Sequence, residues 1–328
     1  MRALITGITG FVGSHLAEYL LANTDWNIVG MCRWRSPLDN IQSLIQEINK
    51  GGRVSLVYAD LRDGIAVREA VEQANPTHVF HLAAQSYPKT SFSSPLDTLD
   101  VNIQGTVRLL DALRKFDTEI HVCSSSEVYG RAKSIPIAED APFHPASPYA
   151  VSKVGTDLMA RHYAEAYGMR IQVTRMFTHS GARRGDVFAE SSFAKQIAMI
   201  EAGMIPPVVK VGNLKSLRTI ADVRDAVRAY YMLLTVNPLP GEVYNIGGYH
   251  TCTVGEILEK LLSMSPNKID VQVDPQRLRP VDADLQVPNC KKFKARTGWQ
   301  PTIPFEQTMS DLLNYWRERI KINAVVQR

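Results

Sequence analysis

RALITGITGFVG, residues 2–13, is the stretch that decides the fold of this chain. Its apolar first part, residues 2–6, predicts a buried strand, and the pattern from His15 to Ala22 predicts a helix. Three glycines lie between them: Gly7, Gly10 and Gly13. Glycines let a backbone approach a pyrophosphate closely, and a helix N-terminus offers N–H donors and a positive dipole end. The order of strand, glycine turn and helix therefore predicts a dinucleotide site, against the alternative of a plain tight turn.

Strand and helix patterns continue to alternate beyond this stretch. The predicted strands are residues 26–31, 54–59, 77–82, 120–124 and 170–176, and the predicted helices are residues 65–73 and 97–115. Alternation of this kind is typical of an α/β protein with a Rossmann-type, doubly wound parallel sheet, whose site lies at the carboxyl ends of the strands. From about residue 177 the segments are shorter and interrupted by turns. They predict a smaller α/β lobe that caps the sheet.

Composition limits the class of protein. The chain has 328 residues, of which 45% are hydrophobic and 21% are charged, and its formal net charge is +4. This mild excess is not the dense basic patch of a nucleic-acid binder. No apolar run reaches membrane-spanning length, and we expect no signal peptide. The four cysteines form neither a CxxC pair nor a disulfide framework, so we expect a protein of the reducing cytoplasm. From the charge and the hydropathy we expect neither nucleic-acid nor membrane partners.

A tyrosine and a lysine four residues apart, Tyr149 and Lys153, follow a predicted helix start at Ser147 and Pro148. This spacing places both side chains on one face of the helix. An ammonium beside a phenol favours the phenolate, so the pattern predicts a proton acceptor that works near neutral pH. The alternative is a core tyrosine beside a solvated lysine.

A hydroxyl and a carboxylate follow the predicted fifth strand. The Ser125 hydroxyl is placed to bond the substrate oxygen that loses a proton to Tyr149, and its alternative is a turn hydroxyl that satisfies local backbone. The Glu127 carboxylate beside a nicotinamide would take a proton alpha to a carbonyl. Its alternative is a salt bridge at the rim of the site.

Arginines indicate which anions are bound. Arg33 and Arg35 follow the second predicted strand, where an NAD site would carry an acidic residue, so they favour NADP by bonding its 2′-phosphate. The alternative is a solvated basic loop. Four arginines of the second lobe favour an anionic substrate such as a sugar diphosphate, against the alternative of surface solubility: Arg183, Arg184, Arg218 and Arg279.

The motifs together resemble those of the extended short-chain dehydrogenase/reductases that modify nucleotide sugars. They are GITGFVG, YADLRD, HLAAQS, SSSEVYG, SPYAVSK and VGNLKSLRTIADVRDAV. Within that group the chain is most similar to the GDP-mannose 4,6-dehydratases, and the GDP-4-keto-6-deoxymannose reductases are its neighbours. The serine–glutamate motif and the arginine pair at residues 183–184 fit the dehydratases, but the reductases also carry an acidic residue at position 127, so Glu127 does not decide between the two. Thr178 before His179 departs from the dehydratase pattern, and the stretches at residues 193–197 and 211–225 are closer to the reductases.

The resemblance implies an NADP-dependent lyase that converts GDP-mannose to GDP-4-keto-6-deoxymannose by internal hydride transfer. Two alternatives stay open: a 4-keto reductase or related epimerase, and a cofactor-sensing protein without chemistry. The implied domains are an NADP-binding Rossmann domain at residues 1–176, with returning segments from the second half, and a nucleotide-sugar-binding lobe at residues 177–328. The resemblance also implies a homodimer or homotetramer and no metal.

The resemblance further implies the residues of each subsite. The catalytic residues are Ser125, Glu127, Tyr149 and Lys153. The cofactor-binding residues are Gly7, Gly10, Phe11, Val12, Gly13, Arg33, Arg35, Ser36, Asp60, Leu61, Leu82, Ala83, Ala84, Tyr149 and Lys153. The substrate-binding residues are Ser86, Ser125, Ser126, Glu127, Tyr149, Thr178, Lys195, Val209, Lys210, Arg218 and Arg279.

Overall fold

A computed structural model describes residues 1–278 and 283–326. The strands are β1 (Arg2–Thr6), β2 (Asn27–Cys32), β3 (Val54–Tyr58), β4 (His78–His81), β5 (Glu119–Cys123), β6 (Ile171–Met176), β7 (His179–Ser180), β8 (Val208–Val211), β9 (Leu217–Asp222), β10 (Val243–Ile246), β11 (His250–Thr253), β12 (Asp270–Val273) and β13 (Leu285–Gln286). The helices are α1 (Phe11–Asn23), α2 (Ile45–Asn49), α3 (Gly64–Ala74), α4 (Pro88–Ser93), α5 (Pro95–Leu99), α6 (Gly105–Leu113), α7 (Pro148–Tyr167), α8 (Ala189–Glu201), α9 (Val223–Thr235), α10 (Val254–Leu262), α11 (Lys291–Thr297) and α12 (Phe305–Val326). A π turn spans Asp100–Gln104, and 3₁₀ turns span Asp39–Leu44, Ser126–Val128 and Pro275–Arg277.

Seven parallel strands form the central sheet in the order β10-β6-β5-β4-β1-β2-β3. The predicted doubly wound parallel sheet is therefore confirmed. The strand order reverses between β1 and β4, and in such sheets a ligand binds outside the carboxyl ends of the strands at that point. Because central strands are covered on both faces, they are apolar along their length, and four of the five residues of β1 are buried.

Helices cover both faces of this sheet. On one face, α1 and α9 bury Leu16, Leu20 and Tyr230 against the strands. On the other face, α3, α6 and α7 bury side chains that include Leu109 and Ala160. Three-layer packing of this kind leaves the carboxyl edge of the strands as the open side of the domain.

The second half of the chain adds a smaller lobe. In it β9 pairs with β11 in antiparallel and with β7 and β13 in parallel orientation, and β8 pairs with β12 in parallel orientation. Its core forms between α8, α10 and α12. Two segments of this half, α9 and β10, return to the central sheet. The division at residues 176 and 177 stays a prediction. In the described residues, no helix is both long and apolar enough to cross a membrane.

The predicted single helix at residues 97–115 differs from the structure. The segment begins earlier, at Pro95, and ends at Leu113, and a π turn over Asp100–Gln104 separates α5 from α6. Asn102 lies in this turn and is buried. Asparagine competes with helical backbone for hydrogen bonds, and π turns are frequent at functional sites, so the irregularity marks a residue with a specific partner.

A buried ion pair joins α7 to β6. Arg175 donates to Asp157 through Nε to Oδ2 at 2.8 Å and Nη2 to Oδ1 at 3.0 Å, and the two side chains are 2% and 0% exposed. The remaining nitrogen, Nη1, donates to the Tyr129 hydroxyl at 2.9 Å and the Glu139 carbonyl at 2.7 Å. The guanidinium therefore also fixes the loop that follows the 3₁₀ turn at Ser126–Val128.

Removing one partner leaves an uncompensated buried charge, so Asp157→Asn should lower the free energy of unfolding by about 3–5 kcal/mol. Urea unfolding would measure the loss. Lys321→Ala is the matched control, because it breaks an exposed ion pair with Glu318 and should cost at most about 1 kcal/mol. Equal losses for the two variants would contradict a special role for the buried pair.

Candidate active site

The glycine turn after β1 is tight against its neighbours. Gly7 has a positive φ of 75°, and its N–H donates to the Met31 carbonyl at 2.8 Å. A Cβ on Gly7 would lie 3.0 Å from Cα of Ala83, and one on Gly13 would lie 2.3 Å from the carbonyl oxygen of Gly7. Gly10 is the N-cap residue of α1, so no capping side chain occupies the N-terminus of this helix. The absence of these Cβ atoms leaves a cradle beside a helix N-terminus, which fits a pyrophosphate.

The segment after β4 is held by side chains from two sides. Thr6 Oγ1 accepts from the N–H groups of Leu82 and Ala83, each at 3.0 Å. Asn102 Oδ1 accepts from Gln85 N at 2.8 Å, and its Nδ2 donates to the Gln85 carbonyl and to Ser152 Oγ. The predicted cofactor contacts of this segment thus lie next to the glycine turn. Sequence reasoning gave Asn102 no role, although a mid-helix asparagine was a usable signal.

The four predicted catalytic residues lie on two neighbouring segments, the start of α7 and the turn after β5. As predicted, Ser147 caps α7 by accepting from Ala150 N at 3.0 Å, so the helix presents Tyr149 and Lys153 in its first two turns. Both side chains are buried. Lys153 Nζ donates to the Cys123 carbonyl at the end of β5, at 2.7 Å.

A short turn supplies the other two residues. Ser125 Oγ accepts from Glu127 N at 3.2 Å, and the Ser125 side chain interacts with Tyr149 in the direction that lowers the Tyr149 pKa. The negative charge of Glu127 acts on the Tyr149 phenol. A phenol, a hydroxyl and a carboxylate therefore lie on two segments at the carboxyl edge of the sheet, and together they are a set that can transfer protons. Ser126 is buried beside them.

The expected lowering of the Tyr149 pKa is not found. Burial raises the pKa of Tyr149, and the hydrogen bond with Ser125 and the charge of Arg184 oppose that rise only in part. Burial also lowers the pKa of Lys153. The reason is desolvation, which favours the neutral form of each group and exceeds the attraction that an ammonium and a phenolate would gain.

Arg184 of the second lobe lies beside the start of α1. The Arg184 guanidinium carbon is 3.5 Å from the Phe188 ring centroid and 5.3 Å from that of Phe11, and Nε donates to Glu190 at 3.2 Å. The side chain is only 11% exposed, and burial lowers its pKa. The sequence assigned Arg184 to the substrate, whereas its contacts put it beside the predicted cofactor residue Phe11.

His179 stacks on the Phe11 ring with centroids 5.7 Å apart. Burial lowers its pKa to about 3, so the ring is neutral near pH 7. Nδ1 donates to the Phe177 carbonyl at 3.1 Å, which leaves Nε2 as an acceptor. This buried atom has no hydrogen-bond partner among the described residues. Together with the glycine cradle, this buried acceptor fits a bound dinucleotide that carries a donor group.

The predicted 2′-phosphate loop follows β2. Arg33 and Arg35 are exposed, and Ser36 N donates to the Arg33 carbonyl at 2.9 Å, which closes a turn. Asp60, one of the predicted cofactor-binding residues, accepts from Arg62 Nε at 3.0 Å and Arg62 Nη2 at 2.7 Å. Its neighbour Leu61 is buried in the core, as are the side chains that surround it. The remaining predicted cofactor residues Val12 and Ala84 are partly buried.

Several predicted substrate residues are bound to other parts of the protein. Lys195 Nζ donates to Asp186 at 2.6 Å. Arg218 Nη1 donates to the carbonyl of Ala283 at 2.6 Å. Arg183, proposed from sequence as an anion-binding arginine, forms a two-point ion pair with Glu18 of α1 at 2.6 and 2.9 Å. Arg183 thus joins the second lobe to helix α1.

The other predicted substrate residues differ in exposure. Val209 is buried in the second-lobe core, so a ligand has access at most to its backbone. Lys210 is exposed and Thr178 is partly exposed. Ser86 is exposed on the loop after β4. Arg279 lies outside the described residues.

Comparison with known proteins points to one family. The family model for GDP-mannose 4,6 dehydratase matches residues 4–312. A GDP-mannose 4,6 dehydratase of Drosophila melanogaster is 31% identical over 98% of this chain and 88% of its own length. A GDP-6-deoxy-D-mannose reductase of Pseudomonas aeruginosa is 30% identical over 98% of each chain.

Solved structures give the same fold. RMD from Pseudomonas aeruginosa complexed with NADPH superposes with a TM-score of 0.82 and 29% identity over 97% of this chain and all of its own. UDP-glucose 4-epimerase of Thermus thermophilus in complex with NAD gives 0.83 and 28% identity over 97% of this chain and 99% of its own. The resemblance inferred from the motifs is therefore confirmed.

The cradle can be tested with Gly13→Ala. The added methyl would meet the Gly7 carbonyl, so we expect a loss of about 1–3 kcal/mol in stability and at least roughly tenfold weaker NADP binding. Calorimetric titration and thermal unfolding would measure the two effects. Gly64→Ala is the control, since its Cβ would lie 3.8 Å from Arg108 and neither property should change. Unchanged NADP affinity in Gly13→Ala would exclude this turn as the binding site.

Proposed function

Since this chain belongs to the GDP-mannose 4,6 dehydratase family, we propose that it converts GDP-mannose to GDP-4-keto-6-deoxymannose with NADP. The observation that carries this reading is the position of Glu127. Its N–H donates a hydrogen bond to Ser125 Oγ, and, in addition to burial, its negative charge raises the pKa of Tyr149. A carboxylate on the same turn as Ser125 adds a second proton acceptor to the site. Elimination of water needs that second acceptor, whereas simple reduction of a ketone does not.

The residues divide the proton transfers between them. Tyr149 takes the proton of the C4 hydroxyl, and the Ser125 hydroxyl bonds the same substrate oxygen. The C4 ketone acidifies the proton on C5, which Glu127 removes and passes to the departing C6 hydroxyl, so that water leaves. The proton that Tyr149 took from the C4 hydroxyl, which exchanges with solvent, is added at C5 when C6 is reduced. When bound, NADP would supply the hydride acceptor for C4 and the hydride donor for C6, so that no net redox change would occur. Lys153, whose Nζ donates to the Cys123 carbonyl at the end of β5, would orient the nicotinamide ribose.

The residues that hold the dinucleotide come from both halves of the chain. The glycine turn receives the pyrophosphate, and Arg33 and Arg35 receive the 2′-phosphate. His179 offers an unpartnered acceptor, and Arg184 lies against Phe11. We assign the GDP-sugar to the loop of Ser86 and to the second lobe, with Thr178, Lys195, the Val209 backbone, Lys210, Arg218 and Arg279 as the candidate contacts.

The second candidate is reduction of a 4-keto sugar, which the relative named as a GDP-6-deoxy-D-mannose reductase favours. That reading needs Tyr149 as proton donor and makes no demand on Glu127 as a base. The third candidate is a cofactor sensor without chemistry, and the presence of both Tyr149 and Lys153 on one turn of α7 argues against it.

We also propose that the protein is a cytoplasmic homodimer or homotetramer. Its four cysteines are all unpaired, as is usual in a reducing compartment. Exposed apolar side chains on neighbouring helices α5 and α7, namely Leu96, Val151 and Leu158, offer a surface that a second copy would cover.

Tyr149→Phe should reduce turnover at least about 100-fold and leave NADP affinity nearly unchanged, because the ring keeps its packing and only the acid–base oxygen is lost. Steady-state rates and a binding titration would measure both properties. A variant that retains more than about a tenth of the rate would remove Tyr149 from the mechanism.

Glu127→Gln separates the two enzyme readings. In a dehydratase the wild-type protein should release a product that has lost one water and carries solvent deuterium at C5. The Glu127→Gln variant cannot act as a base, so it should release no product and incorporate no deuterium. Mass spectrometry of the product in D₂O would measure both. As a control, the variant should still bind NADP.

The outcome against elimination is equally clear. If the wild-type protein consumes NADPH stoichiometrically, reduces a supplied 4-keto sugar and removes no water from GDP-mannose, the reductase reading replaces the first. The Glu127→Gln variant should then keep its reductase activity.

A further inference from the structure

Trp34 is unlike the other tryptophans of the chain. Its side chain is 73% exposed, whereas Trp26, Trp299 and Trp316 are each less than 10% exposed. Most large apolar side chains at such exposure have no specific neighbour. Here the guanidinium carbon of Arg35 lies 4.3 Å from the indole centroid, a distance at which a cation is attracted to the face of the ring.

The backbone gives this contact a defined place. Ser36 N donates to the Arg33 carbonyl at 2.9 Å, so Trp34 and Arg35 are the two central residues of a turn. The turn follows β2 directly, and the last residues of β2 are tied to their neighbours: the Met31 carbonyl accepts from Gly7 N, and the Cys32 carbonyl accepts from Ala59 N. The stacked pair therefore stands at the rim of the dinucleotide site.

The two arginines of this turn form no salt bridge in the described part of the chain. Over residues 1–278 and 283–326, neither Arg33 nor Arg35 forms an ion pair with a carboxylate. Arg62, on the loop after the adjacent strand, is by contrast bound to Asp60 and to Asp97. The contact that restrains Arg35 is thus made with an aromatic ring, which leaves its N–H donors free for an anion.

We propose that Trp34 is a positioning residue for cofactor selection: its indole holds the Arg35 guanidinium where it meets the 2′-phosphate of NADP. The proposal rests on the proposed use of NADP. A long arginine side chain in water samples many rotamers, and a ring that stacks on the guanidinium restricts them before the phosphate arrives. Trp34 then contributes to the choice of NADP over NAD, and it does so only through Arg35.

The experiment compares NADP and NAD affinities by calorimetric titration of the full-length chain. Arg35→Ala should lower the NADP-to-NAD affinity ratio about ten- to a hundredfold by removing a charge-assisted bond. Trp34→Ala should lower that ratio about two- to fivefold, as expected for an exposed cation–π contact. Trp34→Phe should restore most of it. Tyr249→Ala, which removes another exposed aromatic side chain in the second lobe, is the matched control and should leave the ratio unchanged.

The double variant Trp34→Ala/Arg35→Ala decides whether the indole acts through the guanidinium. The proposal expects the same ratio as in Arg35→Ala alone, because a ring without its partner has nothing to position. An additional loss in the double variant would overturn it, as would an equal weakening of NADP and NAD by Trp34→Ala. No turnover is measured, so failure here is distinct from failure of the dehydratase assignment, which the product mass decides.

Discussion

The buried ion pair of Arg175 and Asp157 is the interaction on which the geometry of the site depends. Desolvation penalises any arrangement that leaves either charge unpaired. The buried pair is therefore stable only if the nitrogens of the Arg175 guanidinium all have hydrogen-bond partners. The structure meets that condition with two bonds to the carboxylate, one to Tyr129 and one to the Glu139 carbonyl. The pair therefore permits one placement of α7 against β6. It fixes Tyr149, two turns before Asp157 on α7, relative to the turn that carries Ser125.

Burial opposes the proton transfer proposed for Tyr149, a residue of the same helix. Tyr149 and Lys153 are both removed from water, and desolvation raises the pKa of the phenol while it lowers that of the ammonium. In the described residues the cation whose charge favours the phenolate is Arg184. The task that the Tyr–Lys spacing assigned to Lys153 thus falls in part on a guanidinium from the second lobe. Lys153 itself is anchored to a backbone carbonyl.

Local signals predicted the fold well and the environment of the site less well. The doubly wound parallel sheet follows from the alternation of strand and helix patterns, and the cap at Ser147 from a polar residue before proline, because each element is encoded by residues close together in the chain. Burial of Val209, the binding of Arg183 by Glu18 and the stacking of His179 on Phe11 depend on contacts between distant segments. A single sequence contains no direct record of such contacts.

The same long-range contacts change the role of the second lobe. From sequence it is a cap that binds the anionic substrate. In the structure, the segment after β6 sends His179 and Arg184 to the Phe11 ring at the N-terminus of α1, and the charge of Arg184 reaches Tyr149. Arg183 in that segment is held to α1 through Glu18. A division of the chain at residue 176 therefore separates side chains that interact with one another, and the proposed acid–base residue Tyr149 of the first half lies in a field to which Arg184 of the second half contributes.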